Sequence, residues 1–103
     1  MKLSLQYEMQ RPQLDDHKVI TETMEQCILA DEVGFDKVWF VEHHFLTGFS
    51  ASPSPDIFFG ALSQRTERIR LGLGVVVLPY HHPVQVAERV AMLDHISNGR
   101  AEL

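Results

Sequence analysis

The segment IRLGLGVVVLP, residues 69–79, is almost wholly apolar, and a proline ends it. A β-branched run such as the valines at 75–77 is typical of a strand covered on both faces, as in a parallel sheet. Three more strand-like runs lie along the chain, at residues 3–9, at residues 38–41 and from near Arg100 onward. We therefore predict four strands, the third of which runs through most of the quoted segment.

The segments between these runs have the periodicity and the end signals of helices. Asp15 or Asp16 can cap the first helix, and Gly34 can close it because glycine adopts the left-handed conformation cheaply. The second helix begins at Pro55 and the third at Pro83, since proline is favoured in the first helical turn. The predicted order of elements is therefore βαβαβαβ.

The strand spacing indicates the kind of α/β fold. The four runs begin near residues 3, 37, 69 and 100, at intervals of 34, 32 and 31 residues. A (β/α)₈ TIM barrel of about 250 residues uses about 31 residues per unit. Doubly wound sheets use similar units, so spacing alone leaves both architectures open. We predict that residues 1–103 form the N-terminal part of one domain. This part contains three βα units and the start of a fourth strand.

The composition excludes several classes of protein. The chain has 103 residues, of which 45% are hydrophobic and 22% charged, with a net charge of -5. This balance is typical of a globular domain and argues against binding to nucleic acid or to an anionic membrane. No apolar run approaches the roughly 20 residues of a membrane span. A single cysteine, Cys27, cannot form an internal disulfide, so we expect a reducing, cytoplasmic compartment.

Two histidine pairs follow neighbouring strands. Glu42-His43-His44-Phe45 comes directly after the second strand, and His81-His82 comes after the third. Because ligands of parallel α/β folds bind beyond the carboxyl ends of the strands, both pairs belong to the functional end of the sheet. General acid/base work by His43 or His44 is one interpretation. For His81 and His82, capping and loop packing are favoured over catalysis.

A metal site is not expected here. Adjacent residues on an extended chain point to opposite faces, so a His-His pair is a poor chelator. Neither pair has the i, i+4 spacing that brings two imidazoles together on a helix. Glu42 stays open between two roles, because a buried carboxylate needs a donor. That donor is either a histidine, an arginine or a ligand, or Lys37 in a local ion pair.

Gly72-Leu73-Gly74 is not a nucleotide-binding loop, since more strand follows it and the GxGxxG spacing fails. Glycines inside a strand indicate close approach of another group. That group is a planar ligand or a neighbouring strand, unless the glycines serve packing alone.

Three stretches carry a family resemblance: GFDKVWFVEHHF (34–45), RIRLGLGVVVLPYHHPVQVAE (68–88) and LDHISNGRAEL (93–103). With them the chain resembles the luciferase-like monooxygenase superfamily, which consists of flavin- or deazaflavin-dependent (β/α)₈ barrels, and most of all its bacterial luciferase branch. The resemblance implies the first units of an incomplete barrel. It implies that His43 is the catalytic histidine, with His44 as the second candidate. It also implies that Glu42 lies beside the flavin ring.

The resemblance assigns further residues to the same site. Gly74-Val75 matches a cofactor-binding non-prolyl cis peptide that packs against the isoalloxazine. Tyr7 and Phe45 match residues that line the substrate pocket.

The implied activity is oxidation of an aldehyde or another small organic substrate by dioxygen and reduced flavin. The expected cofactor is FMN, with the deazaflavin coenzyme F420 as the alternative, and a flavin reductase is a possible supplier. Residues that bind the flavin phosphate follow the position of Leu103 in the family, so we expect weak flavin binding by this segment alone. The family also implies a homodimer through the early helices, here 55–65 and 83–97.

Two alternatives stand beside the monooxygenase interpretation. The first is a non-catalytic α/β module that self-associates or completes a barrel with a partner chain. The second is a small flavodoxin-like open sheet. Retention of flavin on titration distinguishes the enzyme from the assembly module.

Overall fold

The computed structural model describes residues 1–11 and 15–103. Four parallel strands form one sheet, and their spatial order follows the chain. They are β1 (Ser4–Tyr7), β2 (Lys37–Phe40), β3 (Arg70–Leu73) and β4 (Ala101–Glu102). The helices are α1 (Asp16–Val33), α2 (Pro55–Ser63) and α3 (Pro83–Ile96), with a 3₁₀ turn at Leu78–Tyr80.

The helix ends have the residues that the sequence indicates. The Asp15 side chain caps α1 by accepting a hydrogen bond from the Lys18 N–H at 3.0 Å. Gly34 closes α1 in the left-handed conformation, with φ of 93°. Pro55 and Pro83 begin α2 and α3. None of these three helices, nor any other among the described residues, has the length and apolarity that a membrane crossing requires.

All three helices pack on one face of the sheet. The inner side chains of this face include Val38, Phe40, Leu71 and Leu73, all buried. They form one core with residues of the three helices, among them Cys27, Ala30, Phe58, Phe59, Leu62 and Leu93. A doubly wound sheet has helices on both faces and a reversal in strand order. One-sided cover and sequential order instead define an arc of a TIM barrel, so the flavodoxin-like alternative is wrong.

The third strand is shorter than the sequence predicts. It ends at Leu73, and the Val75 side chain is exposed, so the prediction of a strand covered on both faces through residues 75–77 is wrong. The partner strand β2 ends at Phe40, whose carbonyl accepts from the Gly74 N–H at 2.8 Å. Among the described residues, β3 has no strand partner beyond that point, and the chain leaves the sheet.

The face away from the helices carries charged and aromatic groups. Lys37 and Arg70 both pair with Glu102, and the Lys37 Nζ lies 4.9 Å from the centre of the Trp39 ring. The Trp39 indole covers Gly72, where an added Cβ would lie 2.3 Å from the Trp39 Cε3. At Gly72 the closely approaching group is therefore a side chain of the neighbouring strand.

Candidate functional site

Glu42 is a buried carboxylate at the carboxyl end of β2. Its side chain is 4% exposed and receives three hydrogen bonds. The Nε2 atoms of His44 and His81 each lie 2.5 Å from Oε1, and the Val77 N–H donates to Oε2 at 2.8 Å. Burial raises the pKa of this carboxyl, but the hydrogen bonds from His44, Val77 and His81 outweigh burial, so the pKa lies below its usual value. We call Glu42, His44 and His81 the carboxylate cluster.

The cluster brings together two loops that are far apart in sequence. Glu42 and His44 follow β2, whereas His81 follows the 3₁₀ turn after β3. Val77 lies after the chain has left the sheet, so its N–H has no strand partner. It donates to Glu42 instead and so forms part of the site. The sequence favoured capping and packing for both His81 and His82. That is confirmed for His82, whose Nδ1 accepts from the Val84 N–H at 3.3 Å, but His81 belongs to the cluster.

His43 points away from the carboxylate cluster. Its Nε2 lies 3.0 Å from Glu8 Oε2, and its ring meets Phe49 edge-on with 6.0 Å between ring centres. Its backbone N–H donates to the Ser52 carbonyl at 2.9 Å, which closes the loop after β2. Adjacent His43 and His44 thus have different partners, as alternation along an extended chain predicts.

The loop after β2 lies against the loop after β1. The Ser50 hydroxyl donates to the Glu8 carbonyl at 2.6 Å, and the Ser52 hydroxyl donates to the Val41 carbonyl at 2.6 Å. Both serines are buried. These hydrogen bonds therefore satisfy hydroxyl and carbonyl groups whose burial without a partner would cost free energy. The two loops therefore hold Glu8 and His43 together at the end of the sheet.

The carboxylate cluster also has the composition of a metal site. One donor atom from each of Glu42, His44 and His81 lies within 4.8 Å of the others. However, Arg89 Nη2 lies 3.1 Å from His81 Nδ1, and a guanidinium can only donate. Neutral His81 then carries its proton on Nε2, where a metal ion would need a lone pair. The contacts therefore favour a hydrogen-bonded cluster over a metal centre.

The other residues assigned by resemblance lie in different surroundings. Tyr7 stacks on Phe40 in the core, with 5.1 Å between ring centres, and burial together with neighbouring Cys27 raises its pKa to about 12. Phe45 is 95% exposed in the loop after β2. Their role in a substrate pocket stays a prediction. The peptide bond between Gly74 and Val75 is cis, as the resemblance implies.

Sequence reasoning did not single out Arg89, and it considered Asp56 only as a possible metal ligand and as a first-turn acidic residue. Arg89 lies on α3 and contacts both His81 and Asp56, the latter in the first turn of α2. The signal for Arg89 was weak, because an arginine inside a helical segment is typical of a helix surface. Only the meeting of the two helices with the loop after β3 makes them part of the site.

The fold and the site together define a class: a TIM-barrel protein with acid/base groups at the carboxyl ends of its strands. The chain belongs to the luciferase-like monooxygenase family, whose sequence profile matches residues 2–103. Its membership of this family of oxidoreductases agrees with the expectation drawn from the three sequence stretches.

Named relatives support this placement. The chain is 47% identical to limonene 1,2-monooxygenase of Rhodococcus erythropolis over 90 residues, which cover 87% of this chain and 23% of the relative. It is 37% identical to the oxygenase component of the flavin-dependent trigonelline monooxygenase of Acinetobacter baylyi, covering 100% of this chain and 29% of the relative. The monooxygenase RslO1 of Streptomyces bottropensis superposes with a TM-score of 0.91 at 36% identity, covering 100% of this chain and 32% of that structure. The chain thus spans about a quarter of the curated relatives it matches.

The described residues fit the ring part of a flavin better than its phosphate. Val75 follows β3 and its side chain is exposed. Two positions later, the Val77 N–H donates a hydrogen bond to Glu42, so an apolar side chain and the polar cluster are close along the chain. Among the described residues at this end of the sheet, Arg11 pairs with Asp16 and Arg89 pairs with Asp56. Both of these arginines therefore already have a carboxylate partner that a phosphate would have to displace.

Proposed function

We propose that this chain forms the part of a flavin-dependent monooxygenase that supplies its acid/base groups. The proposed reaction uses dioxygen and reduced flavin to oxidise an aldehyde or another small organic substrate. The observation that carries it is the buried Glu42 carboxylate, held by two histidines at the carboxyl end of the sheet beside a third histidine on Glu8. The named monooxygenase relatives support the same activity.

The cofactor we propose is FMN, with deazaflavin as the alternative. The flavin-dependent trigonelline monooxygenase, similar over the whole of this chain, favours a flavin. Val75 would contact the ring, with Gly74 before it at the end of β3, and Glu42 would lie beside the ring. The Trp39 indole lies against Gly74, where an added Cβ would be 2.9 Å from the Trp39 Cε3. Bound reduced flavin supplies the electrons that activate dioxygen, and the protein supplies orientation and exclusion of water.

His43 is the proton-transfer group that we propose. Glu8 orients the ring through Nε2, which leaves Nδ1 to hold or accept a proton. A carboxylate in this position stabilises the imidazolium that proton uptake produces. His44, held by Glu42, is the second candidate for the same role.

Replacing His43 with alanine is expected to lower turnover of the complete protein by about 10²- to 10⁴-fold, the usual contribution of a positioned acid or base. Steady-state oxidation of an aldehyde with supplied reduced FMN measures turnover, and fluorescence titration measures FMN affinity. We expect the affinity to stay near that of the wild type. The matched control is His17→Ala on the exposed face of α1, which should leave both quantities unchanged.

Unchanged turnover in His43→Ala would remove His43 from the mechanism. If the complete protein binds neither FMN nor deazaflavin, that result would favour the non-catalytic module instead. The monooxygenase relatives argue against that alternative, because the chain is 47% and 37% identical to them over most or all of its length.

We further propose that the protein forms a homodimer through α2 and α3 and receives reduced flavin from a reductase. The trigonelline relative is named as an oxygenase component, which favours a separate reductase. Large apolar side chains are exposed on these two helices: Ile57, Val84, Met92 and Ile96. Such exposed apolar surface favours association with a second copy.

Light scattering of the complete protein is expected to give the mass of at least two chains. Met92→Glu should shift the mass toward one chain, because it places a charge on the proposed interface. Leu29→Glu on α1, which is also exposed, is the matched control and should keep the dimer. A wild-type mass of one chain would contradict the proposal.

A further inference from the structure

A chain of charged and titratable groups extends from α2 to the carboxylate cluster. The Asp56 Oδ2 lies 3.4 Å from Arg89 Nη1, and Arg89 Nη2 lies 3.1 Å from His81 Nδ1. The His81 Nε2 lies 2.5 Å from Glu42 Oε1, which His44 Nε2 also approaches to 2.5 Å. These five side chains come from α2, α3 and the loops after β2 and β3, so the chain of contacts exists only in the folded protein.

The chemistry of the donors determines where the His81 proton lies. A guanidinium has N–H donors and no acceptor, so His81 Nδ1 must accept from Arg89. An imidazole that accepts at Nδ1 is neutral and carries its proton on Nε2. That N–H points at Glu42 Oε1, where an ionised carboxylate can only accept. The Arg89 guanidinium at Nδ1 and the Glu42 carboxylate at Nε2 therefore favour the same His81 tautomer, and Arg89 opposes a proton on Nδ1.

The same reasoning reaches His44. Both histidines donate to one oxygen of Glu42, while the Val77 N–H occupies the other oxygen. If His81 carried its proton on Nδ1, its Nε2 lone pair would face the carboxylate and repel it. Glu42 would then rotate or lose a partner, and His44 would lose its fixed orientation.

We propose that Arg89, anchored by Asp56, is a positioning residue that holds His81 in its Nε2–H form, so that Glu42 orients His44. The importance of His44 for turnover rests on the proposed function, whereas the tautomer of His81 does not. Arg89 does not contact His44 or Glu42 through any hydrogen bond within the described residues, so its effect passes through His81.

The direct test is nitrogen NMR of the complete protein with ¹⁵N-labelled histidine, which distinguishes protonated from unprotonated ring nitrogens. We expect His81 in the wild type to have a protonated Nε2 and an unprotonated Nδ1. In Arg89→Met the Nδ1 signal should shift toward the protonated type, because the donor that opposed a proton there is gone. The Arg89 side chain is 43% exposed, so the methionine variant should fold.

Two further variants make the test specific. Arg89→Lys keeps one N–H donor and should restore much of the wild-type Nδ1 signal. Arg65→Met removes an exposed arginine outside the network and should leave the His81 signals unchanged. Turnover of Arg89→Met should fall by about tenfold to 10²-fold, as expected when a catalytic group, here His44, is misplaced. Arg89→Lys should recover part of this loss.

The outcomes separate this proposal from the proposed function. Identical His81 signals in the wild type and Arg89→Met would overturn the positioning role, whatever the turnover. Shifted signals in a protein that binds no flavin would support the role of Arg89 in the tautomer and refute the monooxygenase activity. Shifted signals with undiminished turnover would overturn the link to His44.

Discussion

Replacing Glu42 with glutamine is expected to lower turnover of the complete protein by about 10²-fold. The amide keeps the shape of the side chain but loses the charge that accepts from His44 and His81. The amide NH₂ of glutamine is a donor, and it would face N–H groups whose hydrogen bonds the carboxylate accepts in the wild type. Both imidazoles would then reorient, and a displacement near 1 Å is enough for a loss of this size.

The same substitution is expected to destabilise the fold. Hydrogen bonds to a charged group contribute about 1.5–3 kcal/mol each, although shared partners make the sum smaller than the parts. We expect the free energy of unfolding at pH 7 to fall by about 2–4 kcal/mol, measured by urea denaturation. Glu25→Gln on the exposed face of α1 is the matched control and should change it by less than about 0.5 kcal/mol.

The pH dependence of this effect has a definite sign. The pKa of Glu42 in the folded protein lies below its ordinary value of 4.5, because its hydrogen bonds outweigh the opposing effect of burial. Its stabilisation is therefore fully present above pH 4.5 and is lost as the pH falls through the folded pKa. The difference in stability between wild type and Glu42→Gln should shrink on acidification below pH 4.5. A constant difference from pH 7 down to acid unfolding would contradict this account.

Replacing Arg100 with methionine is expected to lower the free energy of unfolding by about 3–5 kcal/mol. Arg100 is 8% exposed and lies just before β4. Its guanidinium donates to the carbonyls of Ser63, Ile69 and Ser97 at 2.8, 3.1 and 2.7 Å, and to the Thr66 hydroxyl at 2.8 Å. Methionine fills part of the space but leaves four buried acceptors without this donor.

Urea denaturation of Arg100→Met, Arg100→Lys and Arg65→Met gives the matched comparison. Lysine keeps the charge but cannot reproduce the planar fork, so it should recover only part of the loss. Arg65 is exposed on the segment after α2, and its replacement should change stability by less than about 0.5 kcal/mol. Equal stabilities of the Arg100 and Arg65 variants would show that the buried guanidinium does not tie α2, β3 and β4 together.

Much of the fold follows from local sequence. The helix boundary at Asp15 depends on its side-chain cap, and those at Gly34, Pro55 and Pro83 depend on backbone preferences. All four are confirmed. The strand spacing and the parallel topology follow from the regular repeat of the βα unit. The length of β3 does not, because a strand ends where its neighbour stops offering hydrogen-bond partners, and β2 stops at Phe40.

The candidate site divides in the same way. The sequence by itself determined the family resemblance and the end of the sheet at which the histidines lie, and the resemblance implied the cis peptide at Gly74-Val75. It also left Glu42 between a histidine partner and Lys37, since a buried carboxylate needs a donor but chain order does not name one. Only the tertiary structure decided that His81 joins His44 on Glu42, while Lys37 pairs with Glu102. Side chains from separate loops meet only after packing on the sheet, and their positions have no periodicity that sequence reasoning can detect.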